Sequence, residues 1–301
     1  MLVASSSSSW ISIVATMVLR LLSTMPTRSS SSIPASATAL LVDQLPPITS
    51  GHQRLFLIRH GETDWNLQGK MQGGGFDIPL NSNGQQQARL VAGALKGIEM
   101  GLVASSHLQR ARQTADLLCD TSSVTDPPQQ RLVLKGLGEM RFGDFEGTAL
   151  RGPLCTKDTT LRFQAQNELM KTDKHISWPG QNGESIAEVE TRARGALAEV
   201  METAAAFSQT SDDTNNNNKA VAIVAHGRLN NILLASILKG DGQYFYKFHQ
   251  ENCCINVLDY QPSEGSDADA DGTFQPILIN YSDHMTTTGS GVSNQEPLTP
   301  S

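Results

Sequence analysis

The sequence predicts an α/β protein, a three-layer α/β/α sandwich built on a mainly parallel central sheet with an antiparallel edge. Three observations favour this fold. Short apolar runs of strand type alternate along the chain with segments of helical periodicity. Two of these runs, residues 55–58 and 220–225, have the length and continuous hydrophobicity of buried strands. Near the C-terminus, residues 253–260 and 273–281 flank a polar loop, which is typical of an antiparallel hairpin.

The first predicted strand, residues 55–58, ends abruptly in Arg59-His60-Gly61. A buried strand that carries a cation and an imidazole at its carboxyl end places both in a crevice, which suits an anion. On this stretch alone, a structural Arg-His pair is an equally good interpretation. The strand at residues 220–225 also ends in a histidine, at His226-Gly227. We therefore expect two histidines at the same edge of the sheet.

The chain between and beyond these strands follows the same alternation. Residues 81–84 offer a helix start. Residues 102–106 predict a strand, and the helical pattern after it places Arg110 in about the first turn. Further elements are an extended connection after Asp126-Pro127-Pro128, a helix at about 160–171, a helix from Ser185 to about residue 200, and a helix at 229–238 stopped by Gly240.

A glycine-punctuated loop, residues 137–147, adds acidic side chains, among them Glu139. The chain thus offers two arginines, two histidines and a carboxylate for one site. Cations bind phosphoryl oxygens, a histidine can act as a nucleophile, and a carboxylic acid can protonate a leaving group. The set indicates phosphoryl transfer without a metal ion.

The residues that carry this chemistry lie in recognisable motifs. Arg59-His60-Gly61 is joined in order by Glu62-Thr63, Trp65-Asn66, Gln72-Gly73, residues 77–80, residues 106–115, residues 142–147, residues 182–185 and Ala225-His226-Gly227. This combination resembles the histidine phosphatase superfamily, also called phosphoglycerate-mutase-like, and the likeness covers roughly residues 54–281. A lone Arg-His-Gly is a weak signal, whereas the ordered set is a strong one.

The resemblance implies a role for each site residue. His60 would attack phosphorus and become a phosphohistidine. Glu139 would protonate the leaving oxygen and then take a proton from the hydrolytic water. His226 completes the catalytic set with a charged or hydrogen-bonding contact. The residues expected to bind the phosphoryl group are Arg59, Asn66, Arg110 and Gly227.

The sequence after Glu139 bears on the type of reaction. Glycolytic mutases follow the acid with Arg-His-Tyr-Gly and a lysine-bearing insertion, whereas residues 140–147 here resemble the phosphatase branch. The favoured function is a metal-independent phosphatase that hydrolyses a phosphomonoester. A 2,3-bisphosphoglycerate-dependent phosphoglycerate mutase is the alternative, and a non-catalytic phospho-ligand-binding module is a third hypothesis.

Composition restricts the partners. The chain of 301 residues has a formal net charge of −7, which argues against nucleic acid or an anionic membrane, because both favour a basic surface. The four cysteines have no Cys-x-x-Cys spacing, so we predict no metal site and no cofactor. The expected partner is a small phosphorylated metabolite or a phosphoprotein, and a homodimer is left open.

Domain boundaries follow from composition and from the extent of the resemblance. Residues 1–50 are predicted to be a disordered or targeting extension, because residues 1–42 contain no Asp or Glu and a helix over residues 10–28 would be amphipathic. A secretory signal is disfavoured, since no Lys or Arg precedes the apolar stretch. We expect the catalytic domain at 51–284, with a variable cap insertion at about 151–177, and a disordered tail at 285–301. The predicted location is the cytoplasm, or a mitochondrion or plastid if residues 1–42 act as a targeting peptide.

Overall fold

The computed structural model describes residues 41–120, 130–210, 219–263 and 272–288. The predicted targeting segment before residue 41, the Asp-Pro-Pro connection and the tail beyond residue 288 lie outside these residues. Within the described ranges, no helix combines the length and the hydropathy that a membrane crossing requires.

Six strands form one sheet in the order β3-β2-β4-β1-β5-β6. The strands β3, β2, β4 and β1 are parallel to one another, whereas β5 and β6 continue the sheet in antiparallel pairing. The strand bounds are β1 Gln53–Arg59, β2 Met100–Ser106, β3 Gln130–Leu134, β4 Ala220–Ala225, β5 Ile255–Gln261 and β6 Thr273–Tyr281. The predicted mainly parallel sheet with an antiparallel edge is confirmed.

Helices cover both faces of the sheet. Their bounds are α1 Asp64–Leu67, α2 Ser82–Ala94, α3 Gln109–Asp120, α4 Lys157–Thr172, α5 Ile186–Thr210 and α6 Gly227–Lys239. In β1, Phe56 and Ile58 belong to a core that includes side chains of α2 and α3. The alternate residues Leu55 and Leu57 belong to a second core with α5 and α6. Because side chains alternate across a strand, these two cores confirm the three-layer sandwich.

Helix ends follow local chemistry that the sequence had indicated. The α2 helix begins where the Asn81 side chain accepts a hydrogen bond from the backbone of Gly84 at 2.8 Å, as residues 81–84 predicted. The α6 helix ends at Gly240, whose φ of 78° lies in the left-handed region that glycine adopts without strain. The cap helix α4 begins three residues before the expected position, capped by Thr156.

The structure differs from the sequence prediction at two strands. Gln130–Leu134, expected as part of an extended connection, forms the edge strand β3 beside β2. The expected strand at 253–260 begins only at Ile255, because Cys253 has a φ of 57°, which a regular strand does not accommodate. Cys253 and Cys254 therefore precede the strand instead of forming its first two residues.

The described residues on both sides of 51–284 carry ordered structure. Leu41 is fully buried and belongs to the core that includes side chains of α2 and α3. The carbonyl of Pro46 accepts a hydrogen bond from Arg54 at 2.9 Å, which fixes the following residues to the domain. At the other end, a 3-10 helix at Asp283–Thr288 carries ordered structure past residue 284.

Candidate active site

His60 and His226 lie side by side at the carboxyl edge of the sheet. They follow the neighbouring parallel strands β1 and β4, in which Arg59 is paired with Ala225. The His60 backbone N–H donates to the carbonyl of Ala225 at 3.0 Å. The ring centroids are 5.1 Å apart, and both side chains are buried. The structure thus brings together the two histidines that the sequence placed at one edge.

The ring of His60 is held in one orientation. Its Nδ1 lies 2.7 Å from the carbonyl oxygen of Gly61, which can only accept, so Nδ1 carries the proton and Nε2 keeps its lone pair. The Gly61 N–H donates to Oγ1 of Thr114 at 3.1 Å. A side chain at position 61 would overlap the backbone of Gly84. The Gly61 backbone that orients His60 is therefore itself held in place by Thr114 of α3.

The electrostatic surroundings keep both histidines neutral. Burial lowers the pKa of His60 well below its ordinary value, and the positive charges of Arg110 and Arg59 lower it further. Burial also lowers the pKa of His226 well below its ordinary value, and Arg110 again adds to the effect. A neutral imidazole is the form that can act as a nucleophile.

The Arg59 guanidinium forms a hydrogen bond through one nitrogen, whereas another of its nitrogens has no partner among the described residues. Its Nη1 donates to the carbonyl oxygen of Gln250 at 2.6 Å. Its Nε is buried and has no hydrogen-bond partner among the described residues. Burial lowers the pKa of Arg59 from its ordinary value. Gly227 leaves room for this arrangement, because a Cβ there would lie 3.2 Å from Nε of Arg59.

Arg110 occupies the first turn of α3, as predicted, and its side chain is fully buried. Its Nη1 donates to the carbonyl of Phe76 at 2.9 Å, and its Nη2 donates to the carbonyl of Gly73 at 3.2 Å. Its Nε, like that of Arg59, has no partner within the described ranges. Burial lowers the pKa of Arg110 to about 10, an effect that the charge of Glu139 opposes.

The side chain of Glu139 lies at the N-terminus of α6, the helix that begins directly after His226. Its Oε1 accepts from the backbone N–H groups of Met140 at 2.8 Å and Leu229 at 3.0 Å, and its Oε2 accepts from Arg228 at 3.1 Å. A helix N-terminus attracts a carboxylate through its free N–H groups and its dipole. Since a carboxylate has about four lone-pair positions, Oε2 keeps one that can take a proton.

Asn66 and Gly227, the other two predicted binding residues, contribute in different ways. The Asn66 side-chain oxygen accepts from the backbone of Thr63 at 3.2 Å in a capping box of α1 and from Nδ2 of Asn252 at 3.3 Å. Only its amide nitrogen remains for a ligand. Gly227 is the first residue of α6 and offers a backbone N–H at the helix N-terminus beside Arg59.

Three further residues support the site and were not identified from the sequence. Thr114 and Gln250 hold Gly61 and Arg59, as described above. Arg228 donates from both terminal nitrogens to Oδ1 of Asn167 in the cap helix at 3.0 Å. The position of Arg228, two residues after His226, was a signal that could have identified it. A threonine and a glutamine far along the chain give no such signal.

The described residues contain no group of three or more His, Cys, Asp or Glu side chains that could hold a metal ion. The polar atoms at the sheet edge are instead nitrogens of arginine and histidine beside a helix N-terminus, which suits a phosphoryl group. The fold and the site define an α/β protein with a buried centre of histidines and arginines at the carboxyl edge of its sheet.

Comparison with known proteins identifies the family. The model of the histidine phosphatase superfamily (branch 1) matches residues 55–266, and the chain belongs to that superfamily. The uncharacterized phosphatase PhoE of Bacillus subtilis (strain 168) is 31% identical over 204 residues, covering 68% of this chain and 86% of that protein. The probable phosphoglycerate mutase GpmB of Escherichia fergusonii is 30% identical over 214 residues, covering 70% and 86%. The native structure of the mycobacterial glucosyl-3-phosphoglycerate phosphatase Rv2419c matches with a TM-score of 0.60 at 25% identity, covering 77% of this chain and 100% of that one.

Proposed function

We propose that this protein is a metal-independent phosphatase that hydrolyses a phosphomonoester through a phosphohistidine at His60. One observation carries the proposal. Buried nitrogens without a hydrogen-bond partner in the described part of the chain surround this histidine: Nε of Arg59, Nε of Arg110, and both ring nitrogens of His226. Buried polar groups are rarely left unpaired, and the oxygens of one phosphoryl group would accept hydrogen bonds from both arginine nitrogens and from the one ring nitrogen of neutral His226 that carries a proton.

The first chemical step follows from the tautomer of His60. Its Nε2 lone pair attacks phosphorus in line with the leaving oxygen, so that the N–P bond forms as the P–O bond breaks. Arg59 and Arg110 bind the equatorial oxygens with their Nε–H groups and stabilise the charge that develops there. Glu139, protonated on Oε2, gives its proton to the leaving oxygen, and the alcohol departs.

The second step returns the enzyme to its starting state. Glu139, now a carboxylate, takes a proton from water through the free lone pair of Oε2. The water oxygen attacks phosphorus, the N–P bond breaks, and inorganic phosphate leaves. The N–H groups of Arg228 and Leu229 hold the carboxylate in place through both steps, so the same group serves as acid and then as base.

The names of related proteins support a phosphatase that acts on small phosphorylated metabolites. PhoE is named as a phosphatase, and the solved structure of the glucosyl-3-phosphoglycerate phosphatase carries the name of a small phosphorylated metabolite. The resemblance to GpmB favours a second candidate, a phosphoglycerate mutase dependent on 2,3-bisphosphoglycerate. We assign the choice of substrate to the cap, residues 151–177, which reaches the site through Asn167.

The test is a panel of phosphomonoesters assayed with the full chain, with and without 2,3-bisphosphoglycerate. We expect phosphate release without the bisphosphate, and an acid-labile phosphoenzyme after rapid quenching with labelled substrate. His60→Ala is expected to abolish both. His52→Ala, a change at the opposite edge of the sheet, is the matched control and should keep both. Rapid interconversion of 2- and 3-phosphoglycerate with little phosphate release would establish the mutase instead.

A further inference from the structure

A turn formed by residues 250–254 contacts the end of β1 at several points; we call it the 250–254 turn. The Arg59 N–H donates to the carbonyl of Cys254 at 3.2 Å, and the Cys253 N–H donates to the carbonyl of His60 at 3.2 Å. The side chain of Asn252 donates to the same His60 carbonyl at 3.2 Å. The turn therefore fixes the backbone of the two residues that carry the proposed chemistry.

The same turn also fixes the Arg59 side chain, through the 2.6 Å hydrogen bond from Nη1 to the carbonyl oxygen of Gln250. The guanidinium group is planar and rigid, so holding Nη1 also sets the direction of Nε–H. Nε is the buried nitrogen that lacks a partner within the described ranges and that faces the space left by Gly227. The position of one backbone oxygen thus decides where Arg59 directs its free donor.

The Gln250 side chain anchors that oxygen in a network of buried amides. Its Oε1 accepts from Nδ2 of Asn256 at 2.8 Å and from Nδ2 of Asn230 at 3.3 Å. Its Nε2 donates to Oδ1 of Asn256 at 2.9 Å and to the carbonyl of His249 at 2.8 Å. Gln250, Asn256 and Asn230 are all buried. Buried amides are costly unless they form hydrogen bonds, and the reciprocal pair of Gln250 and Asn256 holds one geometry.

Asn256 ties this network to the sheet. Its Nδ2 donates to the carbonyl of Leu57 in β1 at 2.8 Å, and its Oδ1 accepts from the backbone of Asn280 in β6 at 2.9 Å. The left-handed backbone of Cys253, with φ 57°, is unfavourable for a residue with a side chain. The hydrogen bonds on both sides of Cys253 hold it in that conformation, so the turn has little freedom to move.

We propose that Gln250 is a positioning residue for Arg59. Its side-chain amide, paired with Asn256, holds the carbonyl oxygen that orients the guanidinium towards the phosphoryl group. This role rests on the proposed function, since it assumes that Arg59 binds phosphoryl oxygens. Gln250 itself touches neither the substrate nor the reacting atoms.

Gln250→Met tests the role, because methionine has a similar length and no amide. We expect kcat/KM for an aryl phosphate to fall about 10- to 100-fold, as a small displacement of a binding group can cause. The inhibition constant of vanadate should rise with it. In an Arg59→Ala background the same change should cost little further activity, because the group that it positions is absent. If Gln250→Met instead lowers kcat/KM by the same factor in both backgrounds, its role is purely structural and the proposal is overturned.

Two more variants keep the test decisive. Asp259→Asn, in strand β5 directly after the 250–254 turn, breaks the buried ion pair with Arg54 at 2.8 Å and controls for lost stability. The melting temperature should fall while kcat/KM stays near that of the wild type. If Gln250→Met does not fold, Asn230→Ala removes only the 3.3 Å hydrogen bond from Asn230 to Gln250 and should show a smaller loss with the same dependence on Arg59.

The outcomes separate this inference from the proposed function. If the wild type hydrolyses phosphomonoesters and Gln250→Met keeps the full kcat/KM, the positioning role is refuted and the proposed phosphatase function stands. If the wild type releases no phosphate from any monoester, the proposed function fails. The role of Gln250 is then decided by calorimetry with inorganic phosphate, where unchanged affinity in Gln250→Met refutes it.

Discussion

Replacing Glu139 by glutamine tests whether one carboxylate holds the first turn of α6 and also moves the proton. The amide oxygen can keep the place of Oε1 and the two hydrogen bonds from Met140 and Leu229. The amide nitrogen then takes the place of Oε2 and faces the N–H of Arg228, which now lies 3.1 Å from that position. Two donors face each other there, and the N–H of Arg228 loses its acceptor.

The stability change follows from these contacts. A buried N–H without an acceptor costs about 1–3 kcal/mol. We expect the free energy of unfolding of Glu139→Gln to fall by about 2 kcal/mol, measured by denaturant titration. Glu146→Gln is the matched control. Glu146 accepts from Phe142 and Gly75 through Oε1 alone, so an amide can keep both bonds.

The kinetic change depends on the leaving group. General acid catalysis contributes about 10²- to 10⁴-fold, so kcat for an alkyl phosphate should fall by that factor in Glu139→Gln. An aryl phosphate has a leaving oxygen that hardly needs a proton, and its phosphorylation step should slow much less. Rapid-quench assays of phosphoenzyme formation with both substrates measure the difference. Equal losses for the two substrates would show that Glu139 does not act as the acid.

Two further predictions concern buried charge and close packing. Burial and the neighbouring arginines lower the pKa values of His60 and His226. Below about pH 6.5 the unfolded chain therefore binds protons that the folded chain does not bind. The free energy of unfolding should therefore decrease as the pH falls below that value, and His226→Gln should show a smaller decrease in denaturant titrations across that range. Gly227→Ala should raise KM about threefold or more with little change in melting temperature, since its Cβ would meet Nε of Arg59 at 3.2 Å and displace the guanidinium. An unchanged KM would contradict this reading of Gly227.

The residues at strand ends could be predicted from the sequence because their signal is local. An apolar run followed by His-Gly identifies a buried strand and the residue at its carboxyl end, and parallel pairing then brings His60 and His226 together. The helical pattern after β2 located Arg110 in the same way. In each case the position of the side chain depends on its own strand or helix and on a general rule of sheet topology.

The partners that hold these side chains could not be predicted, because they lie far along the chain. Glu139 bonds to backbone groups about ninety residues later, and Arg59 bonds to Gln250, 191 positions away. A backbone carbonyl has no sequence signature, and a glutamine or threonine is ordinarily exposed. The edge strand β3 was missed for a different reason: its apolar run, Leu132 to Leu134, is only three residues long, which is shorter than the runs that identify a buried strand.

The hydrogen bonds separate the part of the chain to which we assign the chemistry from the part to which we assign the choice of substrate. His60, Arg59, Arg110 and Glu139 are held by Gly61, by the 250–254 turn, by the loop at residues 73–76, and by the first turn of α6. These contacts, all within the described part of the chain, involve no residue of the cap. The cap meets this framework at Arg228, whose guanidinium lies 4.5 Å from the ring centroid of Phe245 and bonds to Asn167. A different cap sequence can therefore change what borders the leaving group while the nucleophile and its cations keep their positions.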